Sequence, residues 1–281
     1  MIYVSSSCIK TNSIKDAILK LYNAGFINIE LSGGTDYYED LEDDLIELKE
    51  KYKLNLICHN YFPPPKDHFV LNMASLDNEI YDRTIEHYLG AIELSKNIQA
   101  DQFGFHAGFL IDIRNDEIGK KISYSKLYDR EKALKNFFNG YNILEQEAGH
   151  IKLYIENNVF SQSNQKIFKN INPFLLTNSK EYFEFQKEIN FNLLLDIAHL
   201  KVSSLTLGHN YKYELSKLAP ISAYWHLSDN DGRHDMNRPF DENSNILKLI
   251  ENYSADIITL EIYDDIKKIQ NNYNLFKIIM S

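Results

Sequence analysis

Residues 191–200 read FNLLLDIAHL: a short apolar run, an aspartate where it stops, and a histidine three positions later. A nearly continuous apolar run of this length suits a parallel strand covered on both faces. The carboxylate at its end is costly to bury unless something compensates its charge. The same arrangement recurs from one end of the chain to the other. Eight apolar runs read as strands, and seven of them end on a residue able to bind a metal or move a proton. Besides Asp196 and His199 these are Glu30 (INIELSGG), His59 (NLICHNY), His106 (QFGFHAG), Glu156 (KLYIENN), His226 with Asp229 (AYWHLSD) and Glu261 (IITLEIY). A site on the rim of a closed parallel barrel needs functional residues at the same end of many strands.

Between these runs lie helix signals, so strand and helix alternate throughout. The predicted strands are Ile2–Cys8, Phe26–Leu31, Asn55–His59, Gln102–His106, Lys152–Glu156, Phe191–Asp196, Ser222–Leu227 and Asp256–Ile262. Helices are predicted from Ser13 to Gly25, Glu39 to Tyr52, Ser75 or Asp77 to Ile98, after a loop over 108–123, from Ser179 to Glu188, Tyr211 to Leu218, Ser244 to Asn252, and at the end of the chain. In the third helix, Ile80, Ile85, Leu89, Ile92 and Leu94 form a stripe at helical spacing. An open doubly wound sheet would carry a glycine-rich turn after its first strand, and SSSCIKTN is not one. Two half-domains would need a linker, and composition does not change along the chain. The reading is α/β: a (β/α)8 TIM barrel forming one domain over residues 1–281.

Composition narrows the function classes. The chain has 281 residues, 44% of them hydrophobic, which supports a large core. A formal charge of -10 opposes a phosphate backbone, so nucleic acid is not the expected partner. No apolar run reaches the ~20 residues that span a bilayer. MIYVSSSCIKTN lacks the basic and apolar regions of a secretory signal, and Cys8 and Cys58 read as reduced thiols. A cytoplasmic protein is expected, and a homo-oligomer is compatible with this composition.

Glu156, Asp196, His226 and Glu261 come from the fifth to eighth strands. Three carboxylates and an imidazole at one point suit Mn2+, Co2+, Mg2+ or Zn2+ rather than a soft thiolate metal. Without a cation the carboxylates would repel one another. His59, His106 and Glu30 form a second group. The histidines either bind a second metal with Glu156 or contact substrate, while Glu30 is the weaker candidate and orients a neighbour. After the seventh strand, HLSDNDGRHDMNRPFDE mixes turn residues with chemistry. Asp229 or Asp235 can support a ligand there, and Arg233, His234 or Arg238 can hold an anionic group. Tyr61, Phe62, Phe105 and Phe109 are candidates for an apolar wall over a substrate, and Trp225 reads as core.

With these residues in view, the chain resembles the xylose isomerase-like superfamily of TIM barrels, which includes sugar isomerases and epimerases and the endonuclease IV type of apurinic-site nuclease. NMASLDNEIYDRTIEHYLGAIELSKNIQADQFGFHAG at 72–108 is similar to the nuclease branch, and LLLDIAHL and HLSDNDG resemble its Asp-x-x-His and His-x-x-Asp signatures. The resemblance implies one metal shared by Glu156, Asp196, His226 and Glu261. In the nuclease branch His59, His106 and Glu156 would hold another, and His199 with an Asp-x-His pair a third. Here that pair is Asp235-Met236-Asn237, and an amide is a poor zinc ligand.

The expectation is therefore a divalent-metal-dependent isomerase or epimerase acting on a small carbohydrate, a sugar or sugar phosphate, through a metal-stabilised enediolate. Glu156 and Glu261 would move the proton, while His59, His106, His199 and Arg233 would bind substrate. A multi-metal zinc phosphoesterase of the endonuclease IV type is the alternative.

Overall fold

A computed structural model of the chain describes residues 1–117 and 122–279. Eight parallel strands close into a barrel in chain order: β1 (Ile2–Ser5), β2 (Asn28–Leu31), β3 (Asn55–His59), β4 (Gln102–His106), β5 (Lys152–Glu156), β6 (Asn192–Asp196), β7 (Tyr224–Leu227) and β8 (Ile257–Leu260). Every neighbouring pair is parallel, including β8 with β1, so the sheet has no free edge. The buried apolar side chains of strands and helices form one continuous core, which includes Trp225.

Register carries the strand-end residues to one rim. His106 pairs with Glu156, and Asp196 with His226. Gly104 explains how the rim accommodates an imidazole. A Cβ there would lie 2.9 Å from His59 Cδ2 and 2.9 Å from Leu194 Cδ1, so the missing side chain leaves room for His59 inside the barrel.

Several elements are shorter than the sequence reading has them, and two differences matter for the site, together with a helix the reading lacks. The first strand stops at Ser5, and Ser6–Cys8 coil into a 3-10 turn in which the Ser5 hydroxyl accepts from the Ser7 amide. The last strand ends at Leu260, leaving Glu261 just beyond the ladder. A helix at Ile197–Leu207 follows β6 directly, and the sequence reading has none there. Asp196 caps it, its carboxylate accepting from the His199 amide at 2.6 Å, and Gly208 ends it in a left-handed conformation. Burial of Ile197, Ala198, His199, Leu200, Val202, Ser203 and Ser204 spreads apolar and polar residues around the helix and erases its amphipathic period. A short helix at Gln162–Ile167 also interrupts the polar loop after β5. Residues 118–121 of the expected loop over 108–123 lie outside the described residues. Cys8 and Cys58 are buried and free. Among the described residues, no helix is long and apolar enough to cross a membrane.

Candidate active site

Glu156 is the hub. It ends β5, is 1% exposed, and is approached by imidazoles from three other strands. His59 Nε2 hydrogen-bonds its Oε2 at 2.8 Å. His106 Nδ1 lies 3.2 Å from the same oxygen. On the other side, His199 Nδ1 is 3.4 Å and His226 Nδ1 3.6 Å from Oε1. Burial pushes the Glu156 carboxyl up, but the positive potential of His106, His59 and His226 prevails and holds it well below the usual carboxylate range.

Glu261 faces His226 from the opposite side. Its Oε2 is 3.6 Å from His226 Nδ1, and its Oε1 accepts from the Ser7 hydroxyl at 3.1 Å and the Tyr263 hydroxyl at 2.9 Å. Burial raises this carboxyl, yet the His226 interaction outweighs it and leaves it at about 2. Asp196 behaves oppositely. Burial, reinforced by Glu156 and Asp235, overcomes His199 and lifts it to about 7. Three acids thus share one site with unequal hold on their protons, as close like charges require.

The four residues predicted as metal ligands converge. Asp196, His226 and Glu261 offer atoms within 4.8 Å of one another, and so do Glu156, Asp196 and His199, and His59, Glu156 and His226. Donor chemistry fits a divalent ion: mixed carboxylate oxygen and imidazole nitrogen, without sulfur. Glu156 Oε1, His226 Nδ1 and His106 Nδ1 are buried without a hydrogen-bond partner, which a scaffold normally avoids and a cation would satisfy.

Glu30 is absent from this ligand set. It is fully buried inside the barrel behind His226, whose Nε2 lies 3.0 Å from its Oε2. The candidate substrate residues fall differently. His59, His106 and His199 line a cavity of about 1550 Å³ above the cluster, together with Glu261, His234 and Asp235. Arg233 is exposed and does not line that cavity, and its backbone makes turn bonds to Asp231 and Gln162. Arg238 is drawn aside as well, its backbone pairing with Asp229. Asp235 lies 3.3 Å from His199 Nε2, whereas Asp229 engages Lys201 at 2.8 Å. Of the four aromatics, Tyr61 and Phe109 line the cavity, while Phe62 and Phe105 are fully buried core.

Sequence reading missed Ser7, Tyr263, Tyr224 and Thr259. Ser7 and Tyr263 orient Glu261, and the other two bond Glu30. The alternation of inward residues on β7 and β8 was the available signal: Tyr224 and His226, and Thr259 and Glu261, are each two apart.

Fold and site define a (β/α)8 barrel with a carboxylate-histidine cluster at the C-terminal ends of its strands. The chain belongs to the xylose isomerase-like TIM barrel family, whose model matches residues 19–277. Among solved structures it is similar to a D-tagatose 3-epimerase-like protein, with 20% identity, a TM-score of 0.71, and 99% of this chain and 96% of that one covered. It is similar to the D-psicose 3-epimerase of Clostridium cellulolyticum, with 12% identity, a TM-score of 0.67, and coverage of 100% and 99%. A Thermus thermophilus protein soaked with ZnCl2 matches at 15% identity and a TM-score of 0.64, covering 99% and 96%. At these identities the likeness establishes the fold. A search of curated protein sequences returned no match.

Proposed function

We propose that this protein is a divalent-metal-dependent isomerase or epimerase acting on a sugar or sugar phosphate. The observation that carries the reading is the placement of two carboxylates around one unpartnered imidazole nitrogen. Glu156 Oε1 and Glu261 Oε2 each lie 3.6 Å from His226 Nδ1. Glu156, Asp196, His226 and Glu261 would hold the ion. A divalent ion in such a site supplies Lewis-acid polarisation of a carbonyl oxygen, which acidifies the adjacent C–H.

The chain's own groups do the rest. Glu261, on the cavity wall and anchored by Ser7 and Tyr263, takes the carbon-bound proton in its ionised form. Glu156, protonated by the adjacent His59 across their 2.8 Å contact, delivers a proton to that carbon, and Glu261 releases the one it took to solvent in the cavity. His59 and His106 brace Glu156 and, with His199, present imidazole nitrogens to substrate hydroxyls. Tyr61 and Phe109 give the C–H face of a sugar an apolar wall. The similar structures include a D-psicose 3-epimerase and a D-tagatose 3-epimerase-like protein, in agreement with this assignment. Incubation with Mn2+ and a panel of ketoses in D2O tests it. Deuterium should enter the sugar next to the carbonyl, and Glu156→Gln and Glu261→Gln should each abolish the exchange. Undiminished exchange in both variants would sink the proposal.

A phosphoesterase with two or more zinc ions is the second reading, and the convergence of His59 and His106 on Glu156 Oε2 is what favours it. Metal counting on purified protein separates the two: one hexacoordinate ion supports the isomerase, a histidine-bound zinc pair the hydrolase. Asn237 in place of a histidine and the charge of -10 weigh against the hydrolase.

A further inference from the structure

Glu30 is a fully buried carboxylate that the proposed chemistry does not use. Isolated carboxylates are not left inside protein cores, so its partners reveal what it does. Oε2 receives three groups: the Tyr224 hydroxyl, the Thr259 hydroxyl at 2.9 Å and His226 Nε2 at 3.0 Å. A carboxylate oxygen only accepts, so the bond to His226 puts the ring proton on Nε2. Nδ1, the atom that faces Glu156 and Glu261, is then the nitrogen left to give its lone pair to a cation that displaces any proton there.

The other oxygen faces a line of serine hydroxyls. Glu30 Oε1 accepts from the Ser32 hydroxyl at 3.3 Å, Ser5 Oγ donates to Ser32 Oγ at 3.0 Å, and Ser5 Oγ and Ser7 Oγ are 2.7 Å apart. Ser7 then donates to Glu261 Oε1 at 3.1 Å. Three hydroxyl protons cannot fill the four links between two carboxylates, so this line is open between Ser5 and Ser7: Ser32 and Ser5 serve Glu30, Ser7 serves Glu261, and Glu30 reaches the site through its imidazole contact with His226.

Resting on the metal-centred reading of this site, we infer that Glu30 is its positioning residue: one buried carboxylate that holds the Nε2 proton and the direction of His226. A carboxylate behind a ligating histidine raises the ligand's basicity, and losing such a partner typically costs about 10- to 100-fold in metal affinity. Glu30 itself touches no substrate and lines no part of the cavity.

Mn2+ titration of the metal-free protein, read as free Mn2+ by electron paramagnetic resonance, tests this without an activity assay. Glu30→Gln keeps the size of the side chain and removes its charge. It should fold and bind Mn2+ about 10- to 100-fold more weakly than the unmodified chain. Leu144→Ala, a core truncation in the remote helix Arg130–Ala148, should lower Tm while leaving Mn2+ affinity unchanged. If Glu30→Gln fails to fold, Tyr224→Phe and Thr259→Val carry the test. Each removes one link of the network, and each should weaken Mn2+ binding severalfold. Unchanged Mn2+ affinity in Glu30→Gln, or in both substitute variants, overturns the role of Glu30 alone. Failure of the unmodified chain to bind Mn2+, Co2+ or Zn2+ overturns the metal-centred reading and this role with it.

Discussion

The two halves of the barrel rim use the same residue types in opposite ways. On β5 to β8, Glu156, Asp196, His226 and Glu261 point reactive atoms at one another and leave two of them, Glu156 Oε1 and His226 Nδ1, without a hydrogen bond. On β2 to β4 the comparable residues are largely satisfied: Glu30 holds hydroxyls on both oxygens and an imidazole on one, and His59 is bonded to Glu156, while His106 Nδ1 has no hydrogen bond. A buried charge with its partners in place is a brace, and a buried donor set without partners is a binding site. Identity and burial alone do not separate the two cases, since Glu30 and Glu156 are both glutamates with almost no exposure.

Glu156→Gln attacks the residue that joins the halves, and it has the largest expected effect. Turnover should fall at least about 10³-fold, within the range expected for loss of an acid-base group. Deuterium exchange into the sugar measures it, and exchange at the original rate would break the comparison outright.

Metal removal comes next. Dialysis against a chelator should abolish exchange, and Mn2+ should restore it. Tm should rise on reloading, because a ligand at 100 times its Kd stabilises the folded state by about 2.7 kcal/mol. A melting curve indifferent to Mn2+, Co2+ and Zn2+ would remove the distinction between binding half and bracing half.

His226→Gln against His59→Gln sharpens it. The first should cost metal affinity. The second should leave one ion bound and lower turnover roughly tenfold, as for a group that orients Glu156 and touches a substrate hydroxyl. Loss of a whole metal equivalent on His59→Gln, seen by elemental analysis, would move the bracing half into the binding class and favour the hydrolase.

Gly104→Ala tests the brace sterically. The new methyl would crowd His59 and Leu194, an overpacking cost of about 1–3 kcal/mol in denaturant melts, with reduced turnover following from the displaced imidazole.

The last effect, seen only as a change with pH, concerns a histidine outside both halves. His87 packs edge-on against Phe69 and Tyr88 with no carboxylate beside it, and burial pushes it down to about 4. The folded chain keeps it neutral while the unfolded chain takes up a proton near 6.5, so its contribution to stability is lost as pH falls between those values. His87→Phe should flatten the decline over that window by up to about 3 kcal/mol. An unaltered pH slope would show that this histidine is not held neutral.

Much of the architecture was legible because its signals are local. Apolar runs such as NLLLD and KLYIE are complete strands in five residues, and alternating helix signals leave a closed parallel barrel as the simplest arrangement. The helix after Asp196 was not legible, because burial on several faces removed the period that marks a helix. Arg233 was assigned to substrate by residue type, and only the turn built on Asp231 shows that it stays outside the cavity.

By itself, the sequence determined the order of the strands and the placing of the chemical residues at their ends. Parallel strands in a closed ring carry their C-terminal ends to one rim whatever the loops do. Tertiary structure decided what each residue does there. Whether His226 presents Nδ1 or Nε2, and whether Glu30 faces the site or stands behind it, depends on contacts such as Tyr224 to Glu30, between side chains 194 positions apart. Such contacts exist only once the barrel has closed, and no local pattern of residues encodes them.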